Sequence, residues 1–167
     1  MNTLPYQTQY WEITPQQAHR ISQATDQEDT LEYKSPVTLI QNSKVWAIVY
    51  SVWEELVGCI FLMPFDYNWE TIYERGSLRI HPDHRWDKLW AKLMCELTQI
   101  HTDKPLVSIT TVESVKRTNR QLWLVAYKVC DIVWSQLKKT LEQWWELHDK
   151  YVIYMNQTMQ NLFIQLK

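Results

Sequence analysis

The stretch HPDHRWDKLWAKLM, residues 81–94, decides the fold. It follows a run of strand formers ending at Ile80, passes through Pro82 and the basic pair His84-Arg85, and then sets Leu89 and Leu93 on one side of a helical repeat. That is the rhythm of a strand end, a tight turn and an amphipathic helix. A turn of this kind can hold a phosphate, because the first four N–H groups of a helix lack intrahelical partners and the dipole there is positive. Close approach to bare main chain requires small side chains; a Cβ obstructs it and an indole obstructs it more. Yet tryptophan stands at 86 and again at 90.

Outward from this turn the periodicity changes twice. Over 86–101, Leu89, Leu93, Leu97 and Ile100 share one helical face. Before the turn, 45–52 and 56–62 are β-branched, apolar runs separated by Trp53-Glu54-Glu55, the layout of a hairpin, and a second turn at Asp66-Tyr67-Asn68-Trp69 leads into a strand over 73–80. Near the start, Thr14-Pro15-Gln16-Gln17 opens a helix: Thr suits the N-cap, Pro the first helical position, and Gln17 can close a capping box. The polar, acidic segment to about residue 36 reads as short helices or loop. After the turn, 106–112 read as strand, 114–122 as a polar helix, 124–129 as strand, 131–143 as helix and 151–155 as the final strand. This order predicts an α+β fold around one mixed sheet.

The 167 residues suffice for one domain with a real core, so 1–167 is expected to form a single domain. A net charge of -2 with 22% charged residues lacks the positive balance of a dedicated nucleic-acid binder, so no DNA or RNA partner is expected. No stretch approaches the apolar length of a membrane span and the N-terminus has no signal-peptide pattern, which makes a cytoplasmic location, without membrane association, the expectation. Cys59, Cys95 and Cys130 are odd in number and widely spaced, indicating neither a disulfide framework nor a zinc site.

The strand and turn Ile80-His81-Pro82-Asp83-His84-Arg85-Trp86-Asp87-Lys88-Leu89-Trp90 resemble the signature of the GNAT acetyl-CoA-dependent N-acetyltransferases: a β-branched residue, any residue, Pro, two residues, then Arg/Gln-x-x-Gly-x-Gly/Ala. The match holds to Arg85 and then departs, with Lys88 and Trp90 at the two small positions. The resemblance covers most of the chain and is strongest from Leu56 to Val129. It implies a mixed, mostly antiparallel central sheet flanked by helices, and transfer of acetyl from acetyl-CoA to a primary amine, on a small molecule or peptide, by direct attack and with no metal. Dimerisation through the C-terminal strands is also an implication of the resemblance. A non-catalytic GNAT-like module that binds or senses CoA is the alternative.

The resemblance further implies roles for particular residues. Arg85, Trp86, Asp87, Lys88, Leu89, Trp90 and Ala91 would form the pyrophosphate turn, and Leu78, Arg79 and Ile80 the strand edge that pairs with the pantetheine arm. Glu74, six residues before Ile80, matches the carboxylate that deprotonates the amine, a step the chemistry needs because only the neutral amine is a nucleophile. Gly76 would mark a bulge presenting backbone amides to the thioester carbonyl. Asn119 stands where relatives carry a tyrosine acting as general acid; an amide cannot protonate a thiolate, so Asn119 either hydrogen-bonds the cofactor or leaves the proton to solvent or another side chain. Lys116, Arg117 and Arg120 could meet the CoA 3′-phosphate, although a basic helix face is usually solvated. His81 and His84 are close enough to suggest a metal pair, but no third ligand is evident and surface histidines are the expectation.

Composition sharpens the anomaly at 86 and 90. Gly at about 7% would number roughly 12 in a chain this long, whereas the sequence has two Gly and ten Trp. Trp53 lies in a hairpin tip, Trp69 follows Asn68 where Asn-Gly is the strongest hairpin signal, Trp123 stands where a left-handed Gly commonly ends a helix, and Trp144-Trp145 end another helical run. Trp46, within a strand, fits either residue. The expectation is that many of these tryptophans are glycine in the natural protein, through UGA codons read as glycine. The competing expectation is a Trp-rich domain whose aromatics fill its core. A Trp-rich membrane-surface protein is disfavoured, because the indoles fall at turns and helix ends and form no single helical face.

Overall fold

The computed structural model describes residues 6–10, 12–28, 31, 33–43, 47–132, 136–142 and 150–165. Helix α1, Pro15–Asp26, begins as its sequence predicts: Gln17 N–H donates to Thr14 Oγ1 at 3.1 Å, and Thr14 N–H donates to Gln17 Oε1 at 2.8 Å. Ala18, Ile21, Ser22 and Thr25 form its buried face, the spacing of one helical stripe. Further helices are α2 (Pro36–Ser43), α3 (Leu89–Ile100), α4 (Glu113–Gln121), α5 (Gln136–Glu142) and α6 (Gln157–Gln165).

The strands are β1 (Gln7–Tyr10), β2 (Ala47–Val52), β3 (Glu55–Tyr67), β4 (Glu70–Ile80), β5 (Leu106–Thr110), β6 (Val125–Lys128) and β7 (Val152–Met155). They form one mixed sheet in the order β1-β2-β3-β4-β5-β7-β6. Pairing is antiparallel for β1·β2, β2·β3, β5·β7 and β6·β7 and parallel for β4·β5. The α+β fold expected from the alternation of periods is the fold observed.

Three elements were not anticipated, the first being α2, which falls between the polar segment ending near residue 36 and the first expected strand. β1 has the polar sequence QTQY and an edge position, so its pairing with β2 rests on backbone hydrogen bonds that leave no hydrophobic signature. α6 follows the last strand and buries Met159 and Phe163. β3 also runs on through Pro64, a residue that reads as a strand boundary. The expected helix over 86–101 divides into a 3₁₀ turn, Pro82–Asp87, and α3; the one over 131–143 divides into a 3₁₀ turn, Val129–Ile132, and α5. The expectations at Trp46, Trp144 and Trp145 lie outside the described residues.

The chain divides into two compact units. The first comprises Met1–Met63 with Gly76–Leu97, and its core includes Ile21, Leu39, Ile48, Ile60 and Leu93. The second comprises Pro64–Arg75 with Thr98–Lys167 and buries Ile72, Val107, Leu137, Ile153 and Met159. β3 and β4 each pass from one unit to the other.

The turns carry the tryptophans into unusual backbone. β2 and β3 are joined by Trp53 and Glu54 at φ 51° and 67°, and β3 and β4 by Asn68 and Trp69 at φ 45° and 71°. Both are two-residue hairpin turns with two left-handed residues, the geometry that favours Asn-Gly. After α4, Trp123 has φ 61°; its N–H donates to Arg120 O at 3.1 Å and the next N–H, of Leu124, to Asn119 O at 3.0 Å. That paired arrangement ends a helix through a left-handed residue, normally glycine. The indoles of Trp53, Trp69 and Trp123 are 85%, 104% and 89% exposed, so these three fill no core.

Candidate active site

In the first unit, the end of β4 packs closely on β3. A Cβ at Gly58 would lie 2.6 Å from Ile80 Cδ1 and 2.9 Å from the Arg79 carbonyl oxygen, so glycine is what allows β3 to approach here. His81 N–H donates to Val57 O at 2.7 Å, continuing that contact past the strand end. Ile80 is buried, while the Arg79 side chain turns to α1, its Nε donating to Ala24 O at 3.2 Å. Arg85 folds back on the strand, Nε donating to Ile80 O at 3.2 Å and a terminal nitrogen pairing with Glu28 at 2.6 Å. Glu28 also lies 3.9 Å from Arg79, so one carboxylate serves both arginines.

Lys88 sits at φ 53°, between the 3₁₀ turn and α3. Its carbonyl accepts from Ala91 N–H at 3.0 Å and Lys92 N–H at 3.2 Å, which makes it the pivot on which α3 starts. The position the GNAT signature gives to its first glycine thus has the left-handed backbone that favours glycine. Leu89 is buried under the turn; Trp90 and Ala91, in the first turn of α3, are half-buried. Trp86 and Asp87 end the 3₁₀ turn, and only their backbone is described.

Gly76, where the resemblance implies a bulge, precedes a left-handed residue. Within β4 the left-handed residue is Ser77, at φ 52°, and no glycine has a positive φ among the described residues. The Ser77 carbonyl is met by the Cys59 thiol at 3.9 Å. Burial pushes that thiol's pKa up to about 12. The left-handed backbone within β4 is thus carried by a non-glycine residue.

His84 Nδ1 lies 3.2 Å from the Tyr6 hydroxyl and its ring is 5.9 Å from that of His81. His81 Nδ1 accepts from Asp83 N–H at 3.4 Å. Among the described residues, no three His, Cys, Asp or Glu side chains gather where a metal could be held. A cleft of about 510 Å³ opens beside α1 and the first hairpin, lined by Arg20, Arg79, Glu54, Glu55 and His81 among others.

In the second unit, Glu74 pairs across the parallel ladder with Val107, and Tyr73 with Leu106. Glu74 and Arg75 point to opposite faces of the strand and are both buried, 2% and 4% exposed, so β4 is covered on both sides here. Arg75 donates to Thr98 Oγ1 and Asn119 Oδ1, and reaches Ser108 Oγ at 3.5 Å. Asn119 Nδ2 lies 3.4 Å from Ser108 Oγ, and Asn119 is wholly buried. Its amide is committed to Arg75 and Ser108, and its backbone carbonyl to the helix end, so the residue ties α4 to β4 and β5.

Arg75 and Glu28 were missed by sequence reasoning. The pair Glu74-Arg75 in a strand was a usable signal, since alternation sends adjacent charges to opposite faces and a two-sided strand buries both. Glu28 gave none; it is remote in sequence from both arginines it serves. On α4, Glu113 lies 3.4 Å from Lys116 and 3.8 Å from Arg120, ion pairs within the helix itself. The predicted site residues 78–91 belong to the first unit and Glu74 with Asn119 to the second.

Neither protein-family models nor curated protein sequences give a match to this chain. Solved structures do. A GNAT-family protein from Desulfovibrio desulfuricans superposes with a TM-score of 0.63 at 12% identity, over 92% of this chain and 99% of that one. NAA60 of Arabidopsis thaliana, in complex with acetyl-CoA, gives 0.59 at 10% identity over 89% and 97%. A GNAT-family acetyltransferase from Brucella melitensis, also with acetyl-CoA, gives 0.52 at 18% identity over 66% and 80%. The chain has the fold of the GNAT acetyltransferases, as the resemblance around Arg85 implied.

Proposed function

We propose that this chain is an N-acetyltransferase that moves an acetyl group from acetyl-CoA to a primary amine by direct attack. The observation that carries the reading is the conjunction of the GNAT fold with a left-handed turn at Lys88 opening α3 directly after the Ile80–Arg85 strand end. Helix geometry leaves the N–H groups of Leu89 and Trp90 without an intrahelical acceptor, whereas that of Ala91 is taken by the Lys88 carbonyl, and the helix dipole adds positive potential, which together suit a diphosphate. Acetyl-CoA supplies an acyl group activated as a thioester; the chain's residues bind and orient it. In this reading residues 85–91 hold the pyrophosphate and the main chain of Leu78, Arg79 and Ile80 pairs with the pantetheine arm. Arg85, tied to Ile80 O and Glu28, holds the turn against the strand.

Glu74 takes the proton from the ammonium form of the acceptor, directly or through water. The freed nitrogen lone pair forms the C–N bond to the acetyl carbon, the C–S bond breaks, and the thiolate leaves with its electron pair and is protonated by solvent, while the nitrogen gives up its second proton to solvent to leave the neutral amide. Backbone amides near Ser77 bear on the carbonyl oxygen as charge develops there. Asn119 takes a positioning role: fully buried and bonded to Arg75 beside Glu74, it fixes the strand that carries the base.

The test uses calorimetry with acetyl-CoA and thiol release across a panel of small amines and peptides. Saturable binding with turnover on at least one amine is the expected result. A Glu74→Gln variant should bind acetyl-CoA as before yet turn over roughly 10²-fold or more slowly at neutral pH, the usual scale of a general base. Binding without turnover on any amine would favour a CoA-sensing module, and no binding by a chain with glycine at 86 and 90 would overturn both.

A further inference from the structure

We propose that Trp53, Trp69 and Trp123 stand where the natural polypeptide carries glycine, because its gene spells glycine with UGA. Each occupies a left-handed backbone position, at φ 51°, 71° and 61°. Each sits in a local structure whose chemistry asks for glycine: Trp53 in a two-residue hairpin turn, Trp69 directly after Asn68 in another, and Trp123 as the left-handed residue that closes α4. None is repaid by packing, since all three indoles are at least 85% exposed.

Composition supports the same substitution independently of geometry. The chain has two glycines and ten tryptophans, and their sum is close to the roughly 12 glycines an average chain of this length contains. UGA is one base from the tryptophan codon and is the codon whose reassignment would turn glycines into written tryptophans while leaving glycines spelled otherwise, such as Gly58 and Gly76, untouched. A docking surface of exposed aromatics is the competing account. It fails on placement, because Trp53 and Trp69 cap opposite ends of β3 and Trp123 follows a helix in another part of the chain. The same reassignment at 86 and 90 removes two indoles from the turn around Lys88.

This inference does not depend on catalysis and is tested without it. The nucleotide sequence at codons 53, 69 and 123 should read TGA; TGG at these three would overturn the proposal. Tandem mass spectrometry of the protein purified from its native cells should give glycine at all three, and tryptophan there would equally overturn it. The backbone premise has its own measurement. At each position the Trp→Gly variant should melt about 2–4 °C above the Trp→Ala variant, since only glycine relieves the left-handed strain. Equal melting temperatures at all three would remove the geometric support and sink the proposal as argued.

Discussion

A left-handed φ at a bulky residue costs about 1–2 kcal/mol, and Trp53, Trp69 and Trp123 each adopt one with the indole in solvent. Against a typical domain stability of about 5–15 kcal/mol, three such residues are a large burden with no compensating burial. Single residues also differ sharply in reactivity. Cys59 is wholly buried and its thiol is pushed up to about 12, whereas Cys130 is exposed. Iodoacetamide at pH 8 should therefore label Cys130 at least tenfold faster than Cys59 in the native protein, read by peptide mapping; comparable rates would mean that β3 opens readily. The identity of the residues at the turn was legible in the sequence, since the Pro82–Arg85 pattern and the misplaced tryptophans stand next to each other. The commitment of Asn119 to Arg75 was not, because it joins side chains far apart along the chain.

Among the elements, β3 and β4 depend on Gly58. Its missing Cβ would meet the Arg79 carbonyl at 2.9 Å, a backbone atom that cannot rotate away, as well as the flexible end of Ile80 at 2.6 Å. Gly58→Ala should cost about 1–3 kcal/mol, the usual range for overpacking, measured as a shift of the urea midpoint without a change of slope. Because Ile80 ends the strand edge assigned to the pantetheine arm, the same variant should also weaken acetyl-CoA binding; an unchanged midpoint would show that the strands can separate freely. The start of helix α1 was readable to the residue because a capping box is local, its partners three positions apart. β1 was invisible because four polar residues at a sheet edge gain their place through main-chain pairing with β2, which sequence patterning does not record.

For the molecule as a whole, acid should weaken the fold through His101. Burial lowers its pKa from the ordinary 6.5; Lys104 adds to the shift and Asp103 opposes it. Well above pH 6.5 the ring is neutral whether folded or unfolded and contributes no pH dependence. Below 6.5 the unfolded chain binds a proton that the buried ring resists, so stability falls with pH until the lowered native value is passed. Urea midpoints measured between pH 7.5 and pH 5 should decline, and His101→Gln should flatten the decline; an identical slope in the variant would assign the effect elsewhere.

The sequence by itself determined the α+β class, the capped first helix, the hairpins and the strand–turn–helix at Ile80 to Leu93, because each is written in spacing over a few neighbouring residues. Tertiary structure alone decided that Ser77 is the left-handed residue of β4, that Glu28 clamps Arg79 and Arg85, and that Arg75 and Asn119 are sealed inside. Those outcomes depend on which remote segments pack together, and contacts between remote segments leave no period in a single chain.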